Sequence, residues 1–427
     1  MFTSLIKLHP TTFYNLSQVM NLHVRHFYLF LLRIKIPSNF NYQNINLIWN
    51  TKNLKLCFIW TSLNWLHITW NTFLFFQFLP EYAFLSGKSF GISNFSRFSL
   101  MMTASYLMME YIWYTQILEM ISGQNKALNL ICEYSYKLEV ELLRAQVVHL
   151  LQLFNRQYRQ LQLYLTSVFS GLGFFFLMLA YQFVKSYFTF HVNPWRVPVY
   201  IAAAAYSNIQ GIVVHVFALV FVVHVSLMIK VFKCKLANCE LELRQYLTSG
   251  SRVHFGKFNH AYIGLYRSLN MYNVFCCKFI YMCDLTCKLG GSITFGTFLV
   301  EGNLHTNQFG MTIAGLFGVS YLAIQLVYTV FAYFPEKNLA IYKTVAGLNA
   351  HELIDHYGGH FKVVVHNHSI YRENVRHSLR VNSMVQILAN SQFGFTYSSH
   401  FLIHKMNVVE NVFANIYLVV LFVKKFV

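Results

Sequence analysis

HFLIHKMNVVENVFANIYLVVLFVKKFV, residues 400–427, is the stretch on which the reading of the chain turns. Its second half is an apolar run, Ile416 to Val423, which together with residues 407–414 is long enough for a membrane-spanning helix. Its first half carries His400, His404, Lys405 and Glu410. Ionisable groups at bilayer depth are expensive, so they face a partner or water. Glu410, Ala414, Tyr417, Leu421 and Lys424 recur with a period near ~3.5 and share one helix face. That face holds a carboxylate, small and aromatic groups, and a lysine at its end. It is suited to other helices or an aqueous path rather than to lipid.

Composition widens this reading to the whole chain. Of 427 residues 56% are hydrophobic and only 11% charged, where a soluble domain carries about 25% charged residues. The chain therefore belongs to the membrane class. Its net charge of +18 does not imply a nucleic-acid partner. Cytoplasmic loops of membrane proteins collect Lys and Arg, and no separate basic run with interleaved aromatics stands outside the apolar spans. The run Phe27 to Leu32 is too short and too late for a signal peptide and has Arg33 and Lys35 behind it.

The expected fold class is all-α: a polytopic membrane protein with seven transmembrane helices, a cytoplasmic N-terminus and helical cytoplasmic extensions. Residues 1–53 form an N-terminal head. Six spans follow within 54–334, at 54–79, 95–118, 161–185, 198–229, 272–300 and 309–334. Residues 335–400 form an intracellular anchor, and 401–427 hold the seventh span, at 401–423. Counting Lys55 at the edge of the first span, inner segments hold 24 of the 33 Lys and Arg and outer segments five. The positive-inside rule then places the N-terminus inside and the C-terminus outside. The inner segments read as helices. Residues 124–160 and 230–271 have helical apolar spacing, the latter broken near Ser249-Gly250. Residues 336–399 break at Gly358-Gly359 and resume as a helix from Ser369 to Ala389.

Several motifs fail on spacing. His351-Glu352-Leu353-Ile354-Asp355-His356 sets its histidines five apart, off the shared face a zinc-protease helix needs. Cys276, Cys277, Cys283 and Cys287 lack a Cys-x2-Cys pair and read as packed, reduced thiols. Gly171-x-Gly173 has neither a preceding strand nor a following Lys-Ser/Thr, so close helix packing is its reading. His215 and His224 in the fourth span read as interior hydrogen-bonded residues. Of three glycosylation sequons, at Asn15, Asn94 and Asn367, only Asn94 lies near the outer surface. No nucleophile, base and orienting acid align, so no enzyme, metal or cofactor is expected.

The inside N-terminus, seven helices, large inner segments and short outer loops resemble the insect gustatory receptor family. The local likeness is C-terminal. Phe393-Gly394-Phe395 corresponds to the family's Gly-Phe element, and Tyr417-Leu418-Val419-Val420-Leu421-Phe422 to its Tyr followed by five apolar residues. The chain departs from the family at Ile416, where Thr is usual, and at Val423 and Lys424, where Gln and Phe are usual. The resemblance implies a plasma-membrane, tastant-gated cation channel, a homo- or hetero-tetramer with other such receptors. Its last helix would line the pore, carried over as Tyr417, Leu421 and Val423. Val423 at the narrowest point makes a hydrophobic constriction, which can gate by dewetting.

To these the residues themselves add Glu410, whose copies around an axis would attract cations; the alternative is pairing with Lys405 or a histidine. Lys424 either faces the axis or snorkels to headgroups. A ligand pocket is expected in the outer halves of spans two to six, among Tyr106, Tyr181, Gln182, Tyr206, Asn208, Thr294 and Gln308. Two rivals are weaker. A G-protein-coupled receptor would reverse the charge bias and carry Asp-Arg-Tyr after span three. A secondary transporter would show internal repeats and broken spans.

Overall fold

Residues 252–276 place Phe255, Phe258, Tyr262, Leu265, Leu269, Tyr272 and Cys276 at intervals of three and four, and all seven are buried. That spacing keeps them on one face of a helix, and each contributes about 2 kcal/mol by leaving water. The computed structural model describes residues 141–160, 224–300, 324–358, 368–390, 393–397 and 401–426 as runs, with isolated positions elsewhere. Most of the expected spans 54–79, 95–118, 161–185 and 198–229, and the first half of 309–334, lie outside the described residues. Four long helices have full bounds: α1 (Arg252–Val300), α2 (Tyr333–Gly358), α3 (His368–Asn390) and α4 (Lys405–Phe426). A two-stranded antiparallel ribbon, β1 (Thr396–Tyr397) and β2 (Phe401–Leu402), precedes α4. Among the described residues, no helix is long and apolar enough to cross a membrane.

The chain divides into two compact units. One holds residues 1–228, 279–324 and 412–427. In it the helical residues 144–160 begin with a cap: Gln146 Oε1 accepts the Leu143 N–H at 3.1 Å, half of a capping box. Leu150, Phe154 and Tyr158, four apart, are buried. Gln157 donates to Ser226 Oγ at 3.3 Å. Asp284, fully buried, pairs with Lys288 one turn later at 2.5 Å.

The second unit holds residues 229–278 and 325–411. Its first element is an antiparallel helical hairpin. Phe232, Leu236, Cys239, Leu243 and Tyr246 are buried on the face of the helical run 224–249. The run stops at Gly250, whose φ of 64° suits glycine. Ser251 restarts helix α1 by accepting the His254 N–H at 3.0 Å. Facing pairs step down the hairpin: His254 Nδ1 to Glu242 at 2.9 Å, Tyr246 to Phe255 at 5.2 Å and Phe232 to Tyr272 at 5.6 Å. The break expected near Ser249-Gly250 is this turn.

Helix α2 ends at Gly358 and α3 spans His368–Asn390, where the sequence expected a glycine break and a helix from Ser369 to Ala389. The two helices pack together. Asn338 of α2 is the polar tie at the centre: it accepts the Tyr262 hydroxyl and donates to the Leu388 carbonyl at 3.4 Å. Tyr246 also bonds His377 of α3 at 2.9 Å. Thus α1, α2, α3 and the hairpin share one aromatic core.

Candidate functional site

The geometry that matters is the root of α4, because it fixes which residues α4 presents. Phe393 and Phe395 are both fully buried. The Phe395 ring stacks on Phe331 at 3.9 Å and meets Phe334 edge-on at 5.6 Å. Phe393 stacks on Tyr262 at 5.1 Å. Between them Gly394 has φ 154°, a backbone region closed to side chains. A Cβ there would meet Leu402 Cδ1 and Pro335 Cγ, each at 3.0 Å. Glycine is required twice over, by backbone and by space.

The next residue is pinned by polar groups. Thr396 N–H donates to Asn273 Oδ1 at 2.9 Å, and Asn273 Nδ2 donates to Thr396 Oγ1 at 3.0 Å. Both residues are buried, so each bond is shielded from competing water. The ribbon then returns the chain, and Ile403 N–H donates to Phe395 O at 2.8 Å. Helix α4 starts at Lys405. The sequence expected its span to start at 401; residues 401–402 are extended instead, because pairing with β1 claims them.

Along α4, Glu410, Ala414, Tyr417, Leu421 and Lys424 are all exposed. The face read from the sequence is therefore an open face of the single chain. A second exposed stripe flanks it: Met406, Val409, Phe413, Ile416 and Val420. At about 100° per residue the two stripes are centred roughly 90° apart. The more covered side carries Val408, Asn411 and Val412. Lys405 pairs with Glu336 of α2 at 2.7 Å, not with Glu410. Both partners of that pair are well exposed, so it adds little stability. Among the described residues no ion pair or side-chain hydrogen bond engages Glu410. The side chain of Val423 lies outside the described residues.

The expected pocket is not reached. Tyr106, Tyr181, Gln182, Tyr206, Asn208 and Gln308, with Asn94, lie outside the described residues, and Thr294 is described only as backbone of α1. A different cleft, of about 360 Å³, opens beside the root of α4, between Pro335, Leu339, Leu388, Phe393, Leu402 and His404. Of the cysteines, Cys276 and Cys277 are buried thiols outside any disulfide, and burial pushes the Cys239 thiol up to about 12. His351 is exposed on α2. Among the described residues no His, Cys, Asp and Glu gather as a metal site. Sequence reasoning missed Asn273. Its one signal is a polar side chain inside the apolar run of α1, between Tyr272 and Val274.

No protein-family model matches the sequence, and no curated protein does so significantly. Among solved structures the chain is similar to the insect olfactory receptor OR5 from Machilis hrabei in complex with eugenol, with a TM-score of 0.55 and 12% identity. The match covers 96% of this chain and 97% of that one. The fold is similar to that of an insect olfactory receptor. The likeness runs through nearly the whole chain, and at 12% identity it is the fold that is shared. The solved neighbour is an olfactory receptor, whereas the resemblance in sequence was to gustatory ones.

Proposed function

We propose that this chain is a chemoreceptor subunit of the gustatory kind, a plasma-membrane cation channel opened by a small molecule. The observation that carries this reading is the exposed stripe of α4, mounted on a root with little freedom to turn. In a ring of like subunits, Glu410, Ala414, Tyr417, Leu421 and Lys424 would face the axis. The apolar stripe a quarter-turn away would meet the neighbouring subunit or lipid. A ring of Glu410 carboxylates would draw cations, and Val423 would close the path by dewetting. The assembly is a tetramer, alone or with related receptors. The chain crosses the membrane seven times from a cytoplasmic N-terminus, and Asn94 carries the outer glycan. Tastant binding among Tyr106, Tyr181, Gln182, Tyr206, Asn208, Thr294 and Gln308 favours the open state by the ligand's differential affinity for it.

Whole-cell currents across a tastant panel, with the chain expressed alone and with related receptors, test this. Glu410→Gln lowers cation-over-anion permeability by a few-fold, and Val423→Ala raises the current without ligand. Ligand-evoked currents unchanged by both substitutions would remove α4 from the pore.

A further inference from the structure

A group of cations gathers round one tyrosine of the second unit. Lys233 Nζ lies 4.1 Å from the centre of the Tyr333 ring, and Lys337 Nζ lies 5.8 Å from the same centre. Lys230 sits one helical turn before Lys233, on the same face. Burial, and then the charge of Lys230, hold the Lys233 ammonium below its ordinary pKa. Glu240 answers Lys337 at 3.2 Å. Three cations against one carboxylate leave a positive excess at a half-buried place. The ring face attracts ammonium groups, but a quadrupole does not cancel two full charges. An anion would.

The place in the chain says which anion. The fourth and sixth spans end at 229 and 334. Lys230 and Lys233 follow the first within about one turn, and Lys337 follows the second within one turn. Tyr333 stands at the end of the sixth span, where tyrosines favour the headgroup level. Basic groups at the cytoplasmic ends of spans meet the phosphate layer of an anionic leaflet. Lysine ammoniums act there as compact point charges and accept a phosphate in many orientations.

We propose that Lys230, Lys233, Lys337 and Tyr333 form a binding site for the phosphate of an anionic lipid of the inner leaflet. The proposal rests on the seven-span reading above. Glu240 keeps one lysine neutralised, so the site takes an anion without a large surplus when empty. An acidic headgroup seated there would tie the run after the fourth span to the start of α2.

The test uses the full-length protein purified in a neutral detergent and short-chain phosphatidylinositol bisphosphate as probe. Each lysine near such a headgroup contributes about fivefold in affinity. Lys233→Gln with Lys337→Gln therefore weakens binding by about 25-fold. Lys257→Gln with Arg380→Gln, both exposed elsewhere in the unit, leaves it unchanged. Equal binding by wild type and the first double variant, or equal loss in the second, would overturn the site. Should the first double variant not fold, as read from its melting curve, Lys230→Gln alone decides, with about fivefold weakening expected and none overturning. Glycerophosphoinositol bisphosphate, the same headgroup without acyl chains, bound as tightly as the lipid, would overturn the lipid assignment. A protein that stays monodisperse without detergent would instead overturn the membrane reading.

Discussion

Two glycines with positive φ make a controlled comparison at the scale of single residues. Gly250, at φ 64°, has open space where a Cβ would go. Gly250→Ala then costs only the left-handed backbone, about 1 kcal/mol. Gly394, at φ 154°, adds contacts at 3.0 Å from Leu402 and Pro335. Gly394→Ala costs the backbone strain and the overpacking together, about 3 kcal/mol. Thermal melting of the purified variants checks the order; equal losses would mean that Pro335 yields. The Phe-Gly-Phe pattern was visible in the sequence. The reason for its glycine was not, since Pro335 lies some sixty residues earlier and only packing brings it near.

Among the elements, the bond pair between α1 and β1 is what positions α4. Asn273→Ala leaves the buried Thr396 N–H without its partner and costs about 2 kcal/mol. Thr396→Val removes one bond and costs about 1 kcal/mol. Because the two residues answer each other, the double variant should lose less than the two single losses combined; strict additivity would show the bonds to be independent. Helices were the most legible part of the sequence. Ser369 to Ala389 was read within one residue of each end of α3, because its apolar and charged residues alternate at the helical period. The start of α4 was misread by four residues, because Phe401 and Leu402 continue an apolar run equally well as strand or helix. Asn273 could not be assigned at all: its partner is 123 residues away.

For the molecule as a whole, charge is the property with the widest consequence. The excess of Lys and Arg in alternate segments orients the chain only if the spans are seven. An epitope inserted at the Gly250 turn should then be hidden in intact cells, and one placed after Val427 should be reached by antibody; the opposite pattern would invert the orientation. Helix α1, at 49 residues, is about 74 Å long. That exceeds a bilayer with its headgroups, about 45 Å, so in the proposed seven-span arrangement a large part of α1 would stand in water. Its first half meets that need, with Arg252, Lys257, His260 and Arg267 exposed. The all-helical class was readable from apolar spacing, whereas the packing partners were not, since residues such as Asn273 and Thr396 lie far apart in sequence.

The short ribbon before α4 also sets a phase. A helix held at its root presents each residue at a fixed azimuth, and adding one residue turns everything beyond it by about 100°. One alanine inserted after His404 would swing Glu410 and Tyr417 away from their direction by roughly a quarter-turn. Seven inserted residues would return the stripe to within about 20° of it, raised by about 10 Å. Channel currents lost with one residue and partly regained with seven would show that the bearing of α4, more than its composition, carries the conduction path; equal loss from both would show that height matters as much.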